Sequence, residues 1–408
     1  MKTITTKLFL LVVPTCIGLV SAGLPTSLLA AEQTDSAFAQ AKEAARRLAD
    51  YHGDNRDGER RVVHLVYWTP ADREPVAEYQ RRLSAIMLDI QDFYADEMER
   101  HGLGRRTFNL KQADGDLLEV LLVKGEEETS QYKVASGHKI RDECWPVLRK
   151  NHIDLRNETV MIFCNLANWD EKTKVFTHKS PYYAMGGSRG GIGWQLDSPT
   201  LAVDRLKLKQ PIISDGQYGR ISLGKHNSIF IGGIAHELGH ALGVPHCRET
   251  RDEHHQIGTA LMGAGNRTYG DERRGEGKGS FLTFAHALRL ASHPQFSGST
   301  QGLTEHAKIE IADAEVKLDG NRLTITGQAK SMIPIYGVVA YFDSDGGGDY
   351  DALTATAMPD EDGRFTVESP QLPKNQRGEL RVFPLVANGE TTDLSFRPPL
   401  QRRYHISD

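Results

Sequence analysis

The sequence predicts two folded parts, an α/β domain of mixed (α+β) character followed by a C-terminal all-β sandwich. Between residues 61 and 294, short and almost continuously apolar runs alternate with longer stretches of helical periodicity, a pattern typical of a twisted sheet covered by helices. From about Glu305 the pattern changes to short alternating runs separated by turn residues. The length of 408 residues also suits two domains better than one.

The amino-terminal residues have the features of a secretory signal peptide. Two lysines precede an apolar stretch at residues 8–20, and small residues follow it. That stretch is shorter than the about 20 apolar residues needed to span a bilayer, so we expect no stable membrane span. We expect residues 1–31 to be removed during export, which would place the protein in the medium, in the periplasm or at the cell surface. Residues 32–60 are then a short polar extension, with a helix expected at residues 39–51.

Three apolar runs predict strands of a largely parallel sheet in the first domain. A helical segment separates each run from the next, which is the order expected of strands joined by crossover helices. The helix after the first strand carries apolar residues in steps of three and four, so one of its faces should be buried. The predicted strands cover residues 62–68, 117–123 and 159–164, and the predicted helices cover residues 75–102, 139–148 and 281–292.

A glycine-rich stretch lies at residues 183–194. It does not match a phosphate-binding loop, because no Gly-Lys-Ser/Thr follows the glycines. Glycine also suits an extended segment that another backbone must approach closely. We therefore expect a strand at the edge of the sheet, formed by Gly190, Gly191, Ile192, Gly193 and Trp194.

The last hundred residues predict an immunoglobulin- or fibronectin-like β-sandwich of about seven short strands. A segment rich in Ser and Gly at residues 295–304 is the expected linker between the domain at 61–294 and the sandwich at 305–408. Because domain boundaries fall where few contacts cross, we expect the sandwich to be separable. The predicted strands cover residues 308–317, 322–327, 336–342, 353–357, 364–368, 379–387 and 392–396.

The segment from His236 to His246 carries the pattern H-E-x-x-H-x-x-G-x-x-H. Residues four apart share one face of a helix, so His236 and His240 can present ring nitrogens to one ion. Gly243 can end that helix in a left-handed conformation, after which the chain turns back and brings His246 to a third ligand position. Three imidazoles leave one coordination position of a zinc ion for water, which is typical of a catalytic site. Glu237 lies beside the first ligand, where it can take a proton from that water.

This long motif resembles that of the metzincin clan of zinc endopeptidases. The resemblance implies a metzincin-like catalytic domain with an active-site helix, one zinc ion and a turn beneath it that contains Met262. It also implies a peptide or protein substrate that pairs antiparallel with an edge strand, the place that the glycine-rich segment occupies in the order of elements. The family within the clan stays open, because Cys247 follows the third histidine and Ala264 stands where some members have a tyrosine.

The balance of charge argues against a protein that binds nucleic acid. The chain has 49 Lys and Arg against 54 Asp and Glu, which leaves a net charge of −5. A nucleic-acid footprint needs an excess of basic residues on one face, and the sequence has no such block.

Four aspartates alternate with glycines in the predicted sandwich, and they are a candidate calcium site. Carboxylates that crowd a flexible loop can bind Ca²⁺ through their oxygens. The spacing lacks the bidentate glutamate of an EF-hand loop, so a solvated hairpin turn is the alternative. The four residues are Asp343, Asp345, Asp349 and Asp351.

The sequence as a whole favours an exported zinc endopeptidase in which His236, His240 and His246 bind zinc and Glu237 is the general base. One alternative is a zinc amidase that acts on a non-protein amide, such as a cell-wall or glycan-linked group. Another is a secreted adhesion or binding protein whose zinc domain is inert and whose sandwich carries the function.

Overall fold

The computed structural model describes residues 26–390 and 398–407. Residues 1–25, which make up most of the predicted signal peptide, lie outside the described residues. Within the described part of the chain, no helix combines the length and the apolar character needed to cross a membrane.

The part of the chain before the sandwich is a mixture of helices and strands, as the sequence predicts. Its eight helices are α1 (Thr26–His52), α2 (Tyr79–Arg100), α3 (Gly137–Lys150), α4 (Leu223–Ala241), α5 (Arg251–Gln256), α6 (Asp271–Arg274), α7 (Phe284–Leu290) and α8 (Pro294–Ser297), counted over the described residues. Its strands are β1 (Val63–Thr69), β2 (Val120–Lys124), β3 (Thr159–Cys164), β4 (Ala167–Asp170), β5 (Val175–His178), β6 (Tyr183–Gly186), β7 (Gly191–Leu196), β8 (Ile212–Asp215), β9 (Gly219–Ser222), β10 (Thr259–Ala260) and β11 (Ser280–Phe281).

The central sheet has the strand order β2-β1-β3-β7-β6. Its first four strands are parallel, and β6 pairs antiparallel with β7 at one edge. Both faces of the sheet are covered, because Leu65 and Tyr67 pack with α2 and α4 whereas Val66 and Trp68 pack with α3. Successive residues of a strand point to opposite faces, so a strand buried on both faces must be apolar throughout. The apolar runs therefore predicted β1 and β3 to within one residue, whereas β2, a partly exposed edge strand, begins three residues later than predicted.

The expected edge strand lies one position further inside the sheet than the sequence suggested. Gly191, Ile192, Gly193 and Trp194 belong to β7, which is paired on both sides, and Gly190 is in the turn before it. The edge itself is β6, the first strand of the same hairpin. The prediction was wrong on this point, since Gly191 accommodates a helix: a Cβ atom there would lie 2.0 Å from the carbonyl oxygen of Ala241 in α4.

A second sheet has the order β4-β5-β8-β9 and packs against the helix that carries the histidine motif. Phe176 of β5 contacts two rings of α4, His226 at a centroid distance of 4.4 Å and Phe230 at 5.4 Å. Because this sheet and the central sheet both contact α4, the helix is buried along almost its whole length.

The C-terminal part is all-β, as predicted, and consists of two antiparallel sheets. Their orders are β12-β13-β16 and β15-β14-β17-β18, and apolar residues of both sheets form one core between them. The predicted strand at residues 392–396 lies wholly outside the described residues, and the last observed strand begins at Leu400. The strands are β12 (Glu310–Asp319), β13 (Arg322–Lys330), β14 (Ile335–Ser344), β15 (Leu353–Ala357), β16 (Arg364–Glu368), β17 (Gln376–Val386) and β18 (Leu400–Ile406).

The predicted linker at residues 295–304 is a packed segment of the fold. Gln295, Phe296 and Ser297 are buried in α8, and the Oε1 atom of Gln295 accepts a hydrogen bond from the backbone of Asn109 at 3.0 Å. Small residues allow a flexible linker, but they equally allow the close approach seen here. A Cβ atom on Gly58 would lie only 2.5 Å from the backbone nitrogen of Ser299.

The expectation that few contacts cross the boundary between the two parts is also wrong. The hydroxyl of Tyr336 in β14 donates to the carbonyl oxygen of Leu288 in α7 at 2.8 Å, and both residues belong to one buried cluster. The guanidinium of Arg47 in α1 donates to the carbonyl oxygens of Ile335 and Pro359. The sandwich therefore continues the core of the first part, although the boundary at residue 305 itself stays a prediction.

Candidate active site

Helix α4 places the first two histidines of the motif. The helix begins after Ser222, whose hydroxyl accepts a hydrogen bond from the backbone of Lys225 at 3.0 Å. It ends before Gly243, which has a φ of +80°, a conformation that glycine adopts at little cost. The N–H of Val244 bonds back to the carbonyl oxygen of Gly239 at 2.9 Å, so the chain reverses and carries His246 toward the helix. The turn predicted from the motif is confirmed.

The three histidines converge on one point. The Nε2 atom of His246 lies 3.3 Å from Nε2 of His236 and 2.8 Å from Nε2 of His240. On the other side of two of these rings, Nδ1 contacts a backbone carbonyl oxygen, that of Leu261 for His236 at 2.7 Å and that of Val244 for His240 at 2.8 Å. A ring that donates from Nδ1 presents an unprotonated Nε2, which is the form that binds a metal ion.

This donor set fits a divalent transition metal such as zinc. Imidazoles bound to tetrahedral zinc at about 2.0–2.1 Å hold their nitrogens about 3.3–3.4 Å apart, close to the spacing between His236 and His246. All three ligand atoms lie within 4.8 Å of one another. The cluster could therefore hold one metal ion and leave a coordination position open for water or substrate.

Glu237 lies between the histidine cluster and the edge strand. Its side chain is mostly buried, with 8% of the residue exposed. Burial raises the pKa of Glu237 to about 8, while a hydrogen bond from the backbone N–H of Ala184 in β6 acts in the opposite direction. A pKa in this range means that the side chain can exchange a proton near neutral pH.

Met262 lies directly beneath α4, in the turn after β10. The residue is 1% exposed, and a Cβ atom on Gly239 would lie 2.5 Å from its sulfur. The N–H of Cys247 donates to the carbonyl oxygen of Met262 at 3.3 Å, which ties this turn to the segment that carries the third histidine. Met262 thus packs against α4, and its predicted place beneath a zinc ion stays a prediction.

The candidate calcium site is not supported. Asp343 pairs with Arg381 at 3.4 Å and Asp345 pairs with Arg403 at 2.7 Å, so these carboxylates point to arginines on neighbouring strands. The side chain of Asp349 lies outside the described residues. Among the side chains that the structure describes, the three histidines form the only group of three or more His, Cys, Asp or Glu residues arranged to hold a metal ion.

Sequence reasoning missed a tyrosine at this site. Tyr350 lies in the aspartate-rich loop of the sandwich, and its ring stacks on His246 with a centroid distance of 3.6 Å and an angle of 26°. It is also nearly parallel to the ring of His236, at 6.2 Å and 9°. No local signal in the sequence could have found this contact, because it depends on how the sandwich packs on the first part.

Two cavities flank the edge strand. One of about 600 Å³ lies on the α3 side of the sheet and is mainly apolar, with Trp145, Met185 and Ile192 in its wall. The other, of about 510 Å³, lies beside Tyr182 and includes the polar side chains of Thr177, His178 and Gln217 in its wall.

No family model matches the chain, and no curated protein matches its sequence. The structure does resemble solved structures of OgpA from Akkermansia muciniphila. A catalytically inactive form of OgpA in complex with an O-glycopeptide substrate, glycodrosocin, aligns with a TM-score of 0.70 and 25% sequence identity, over 84% of this chain and 92% of that chain.

Two crystal forms of wild-type OgpA give the same result. One aligns with a TM-score of 0.68 and 26% identity over 84% of this chain and 92% of that chain. The other aligns with a TM-score of 0.68 and 27% identity over 84% and 91%. The likeness covers most of both chains, so it includes both the α/β part and the sandwich, and it supports an enzyme rather than an inert binding protein.

Proposed function

We propose that the protein is an exported, zinc-dependent endopeptidase of the metzincin clan that cleaves O-glycosylated peptides. The observation that carries the proposal is the convergence of three imidazole Nε2 atoms beside a buried carboxylate, Glu237, that contacts the edge strand. The left-handed turn at Gly243 and the position of Met262 beneath the helix support the assignment to the clan.

His236, His240 and His246 would hold the zinc ion. When bound, zinc lowers the pKa of a water molecule and polarises the carbonyl group of the scissile bond. Glu237 accepts a proton from the attacking water while the water oxygen bonds to the carbonyl carbon. The same carboxyl group then gives the proton to the amide nitrogen as the C–N bond breaks, which yields a carboxylate and an amine.

The edge strand β6 would hold the substrate backbone. An extended peptide can add to an unpaired strand edge through main-chain hydrogen bonds. Glu237, the proposed general base, accepts a hydrogen bond from the N–H of Ala184 in this strand. A peptide aligned on β6 would therefore pass the base and the histidine cluster, which favours a peptide over the small non-protein amide of the amidase alternative.

The O-glycopeptide bound to OgpA suggests the class of substrate. The cavity beside Tyr182 is our candidate position for the sugar, because Thr177, His178 and Gln217 offer hydrogen-bonding groups next to an aromatic ring. The apolar cavity at Trp145 would instead suit a side chain of the peptide.

The experiment uses two synthetic peptides of the same sequence, one of which carries an O-linked disaccharide on a central threonine. Products are identified by mass spectrometry, with and without a zinc chelator, and after zinc is restored. We expect chelator-sensitive cleavage of the glycopeptide and little cleavage of the bare peptide. Equal cleavage of both peptides would contradict the glycopeptide specificity alone. Cleavage of neither, together with release of an amine from a cell-wall or glycan-linked amide, would favour the amidase.

A further inference from the structure

We propose that Tyr350, a residue of the β-sandwich, is a catalytic residue whose hydroxyl donates a hydrogen bond to the carbonyl oxygen of the scissile bond as that oxygen becomes negatively charged. The inference rests on the proposed peptidase function and extends it, because it makes the sandwich a part of the active site. The main support for this role is the stacking of the Tyr350 ring on His246.

The ring of Tyr350 covers one ligand and faces a second. It is in van der Waals contact with His246 and nearly parallel to His236. About half of the residue, 51%, is nevertheless exposed. A large aromatic side chain that packs on a metal ligand and keeps one side open to the cleft is available to touch a bound substrate.

The loop that carries Tyr350 is anchored on both sides of the residue. Before it, Asp345 is held by Arg403 and by a hydrogen bond from its own N–H to the carbonyl oxygen of Arg377 at 2.9 Å. After it, the carbonyl oxygen of Ala352 accepts a hydrogen bond from the N–H of Arg248, two residues beyond the third histidine, at 2.9 Å. Ala352 is fully buried. Anchors of this kind hold a side chain in place before the substrate arrives, which is what electrostatic stabilisation of a transition state requires.

Tyr182 lies close enough to Glu237, Tyr218 and Tyr350 for their charges to act on its hydroxyl. Burial raises the pKa of Tyr182, and these three charges raise it further. The hydroxyl of Tyr182 is pressed against the helix, since a Cβ atom on Gly233 would overlap it. Tyr350 is the tyrosine of this group that reaches the histidine cluster from outside the helix.

The step leaves the proton of Tyr350 in place. As the oxygen of water bonds to the carbonyl carbon, the carbonyl oxygen gains negative charge and the hydrogen bond from Tyr350 strengthens. When the C–N bond breaks, the oxygen returns to a neutral carbonyl and the amine nitrogen takes the proton that Glu237 held. The tyrosine stabilises the charge and exchanges no atoms, so the reaction remains a simple hydrolysis.

The test compares Tyr350→Phe with Tyr350→Leu and with a matched control, Tyr51→Phe. Tyr51 lies in α1, where its hydroxyl bonds to the carbonyl oxygen of Gln301 at 3.4 Å, outside the histidine cluster. For each protein we would measure zinc content, kcat and KM on the glycopeptide, and the Kd of a peptide phosphinate, whose tetrahedral anion resembles the transition state. The binding of intact glycopeptide would be measured in a Glu237→Gln background.

We expect Tyr350→Phe to keep its zinc and its KM within about twofold, and to lose about 10²-fold in kcat, the typical cost of removing one such donor. Its affinity for the phosphinate should fall by a similar factor while binding of the intact glycopeptide is unchanged. The Tyr51→Phe control should match the wild type.

Two results would overturn the inference. If Tyr350→Phe retains full kcat and only Tyr350→Leu is impaired, the ring acts by packing and the hydroxyl has no role. If Tyr350→Phe loses zinc, the residue supports the metal site rather than the reaction. A wild-type protein that cleaves no peptide and binds no phosphinate would instead contradict the proposed function itself.

Discussion

The Nδ1 atom of His236 lies 2.7 Å from the carbonyl oxygen of Leu261, the residue just before Met262. This hydrogen bond connects α4 to the turn beneath it and fixes the tautomer of the ring. His240 is held in the same way by Val244, so both rings have their orientation set by the backbone. The geometry of the cluster is thus a property of the fold and not only of the ion it would bind.

Replacing Glu237 with glutamine should separate chemistry from metal binding. Glutamine is close to the same shape but cannot accept a proton from water, and general-base catalysis contributes about 10²–10⁴-fold to rates. We expect the variant to keep one zinc per chain and its wild-type melting temperature while turnover of the glycopeptide falls by that factor. Elemental analysis and a quenched-peptide assay measure both quantities. A variant with near wild-type turnover would contradict the role of Glu237 as general base, even if the protein binds zinc.

His240→Ala should remove the metal itself. The substitution deletes one of the three converging nitrogens, and a bound metal stabilises the folded state by mass action, so the melting temperature with added zinc should fall as well. His254→Ala is the matched control, because that histidine is exposed in α5 and pairs with Glu249 at 3.1 Å. Stoichiometric zinc in purified His240→Ala protein would show that the ligand set is wrong.

Cys247→Ser should leave the zinc content unchanged. The cysteine follows the third histidine of the cluster, yet its side chain is fully buried and its sulfur lies 3.5 Å from both Thr283 Oγ1 and His286 Nδ1. Burial raises the pKa of its thiol, so it should also fail to react with a thiol reagent until the protein unfolds. Loss of zinc from a folded serine variant would mean that Cys247 is a ligand.

Gly191→Ala should disturb the histidine cluster by displacing the hairpin of β6 and β7 from α4. A Cβ atom at this position would lie 2.0 Å from the carbonyl oxygen of Ala241 at the end of α4. The overlap should cost about 1–3 kcal/mol of stability, the usual range for overpacking, and should lower activity because the hairpin carries the edge strand. Gly277→Ala is the control, since its nearest neighbouring atom is 3.8 Å away. Equal melting temperatures for the two variants would contradict the close packing of hairpin and helix.

His293 should make the protein less stable as the pH falls. The ring accepts a hydrogen bond from the N–H of Gln295 at 3.2 Å and contacts the carbonyl oxygen of Gly187 at 3.3 Å, an arrangement that requires the neutral form. Burial lowers its pKa to about 3, below the value of about 6.5 expected in the unfolded chain. The unfolded state therefore takes up the proton first, so the stabilisation is complete above about pH 6.5 and declines below it.

Urea unfolding at several pH values tests whether the free energy of unfolding falls as the pH falls. Between about pH 6 and pH 4, one such histidine contributes up to about 1.4 kcal/mol per pH unit to the slope of the free energy of unfolding against pH. We expect a shallower slope for His293→Gln than for the wild type, and an unchanged slope for a variant of the exposed His138, His138→Gln. If all three proteins show the same slope, His293 titrates normally in the folded state.

Where the sequence constrained side-chain burial directly, the fold could be predicted. The strand at residues 159–164 has the bounds of β3, because a strand buried on both faces leaves no choice but apolar residues. The motif from His236 to His246 likewise fixed the helix, its glycine end and the convergence of the rings, because each depends on spacing along one short segment.

The failures concern residues whose partners are distant in the sequence. Glycine permits close approach but does not say of what, so Gly191 was expected to face a substrate and instead faces Ala241. Ser and Gly at residues 295–304 suggested a linker for the same reason. Tyr350 and Asp345 lie in one loop, and only the packing of the sandwich decides that the tyrosine meets His246 while the aspartate meets Arg403.

The shared core between α7 and β14 has a consequence for the way this architecture can vary. Tyr336 is hydrogen-bonded to Leu288 inside one apolar cluster, so the sandwich cannot be exchanged as an independent domain. A chimera that grafts the sandwich of a relative onto this chain would have to bring α1 and α7 with it, or redesign the surface between them. Insertions and fusions should instead be tolerated at exposed turns such as the one at Gly320, where no other atom lies within 4 Å of a Cβ position.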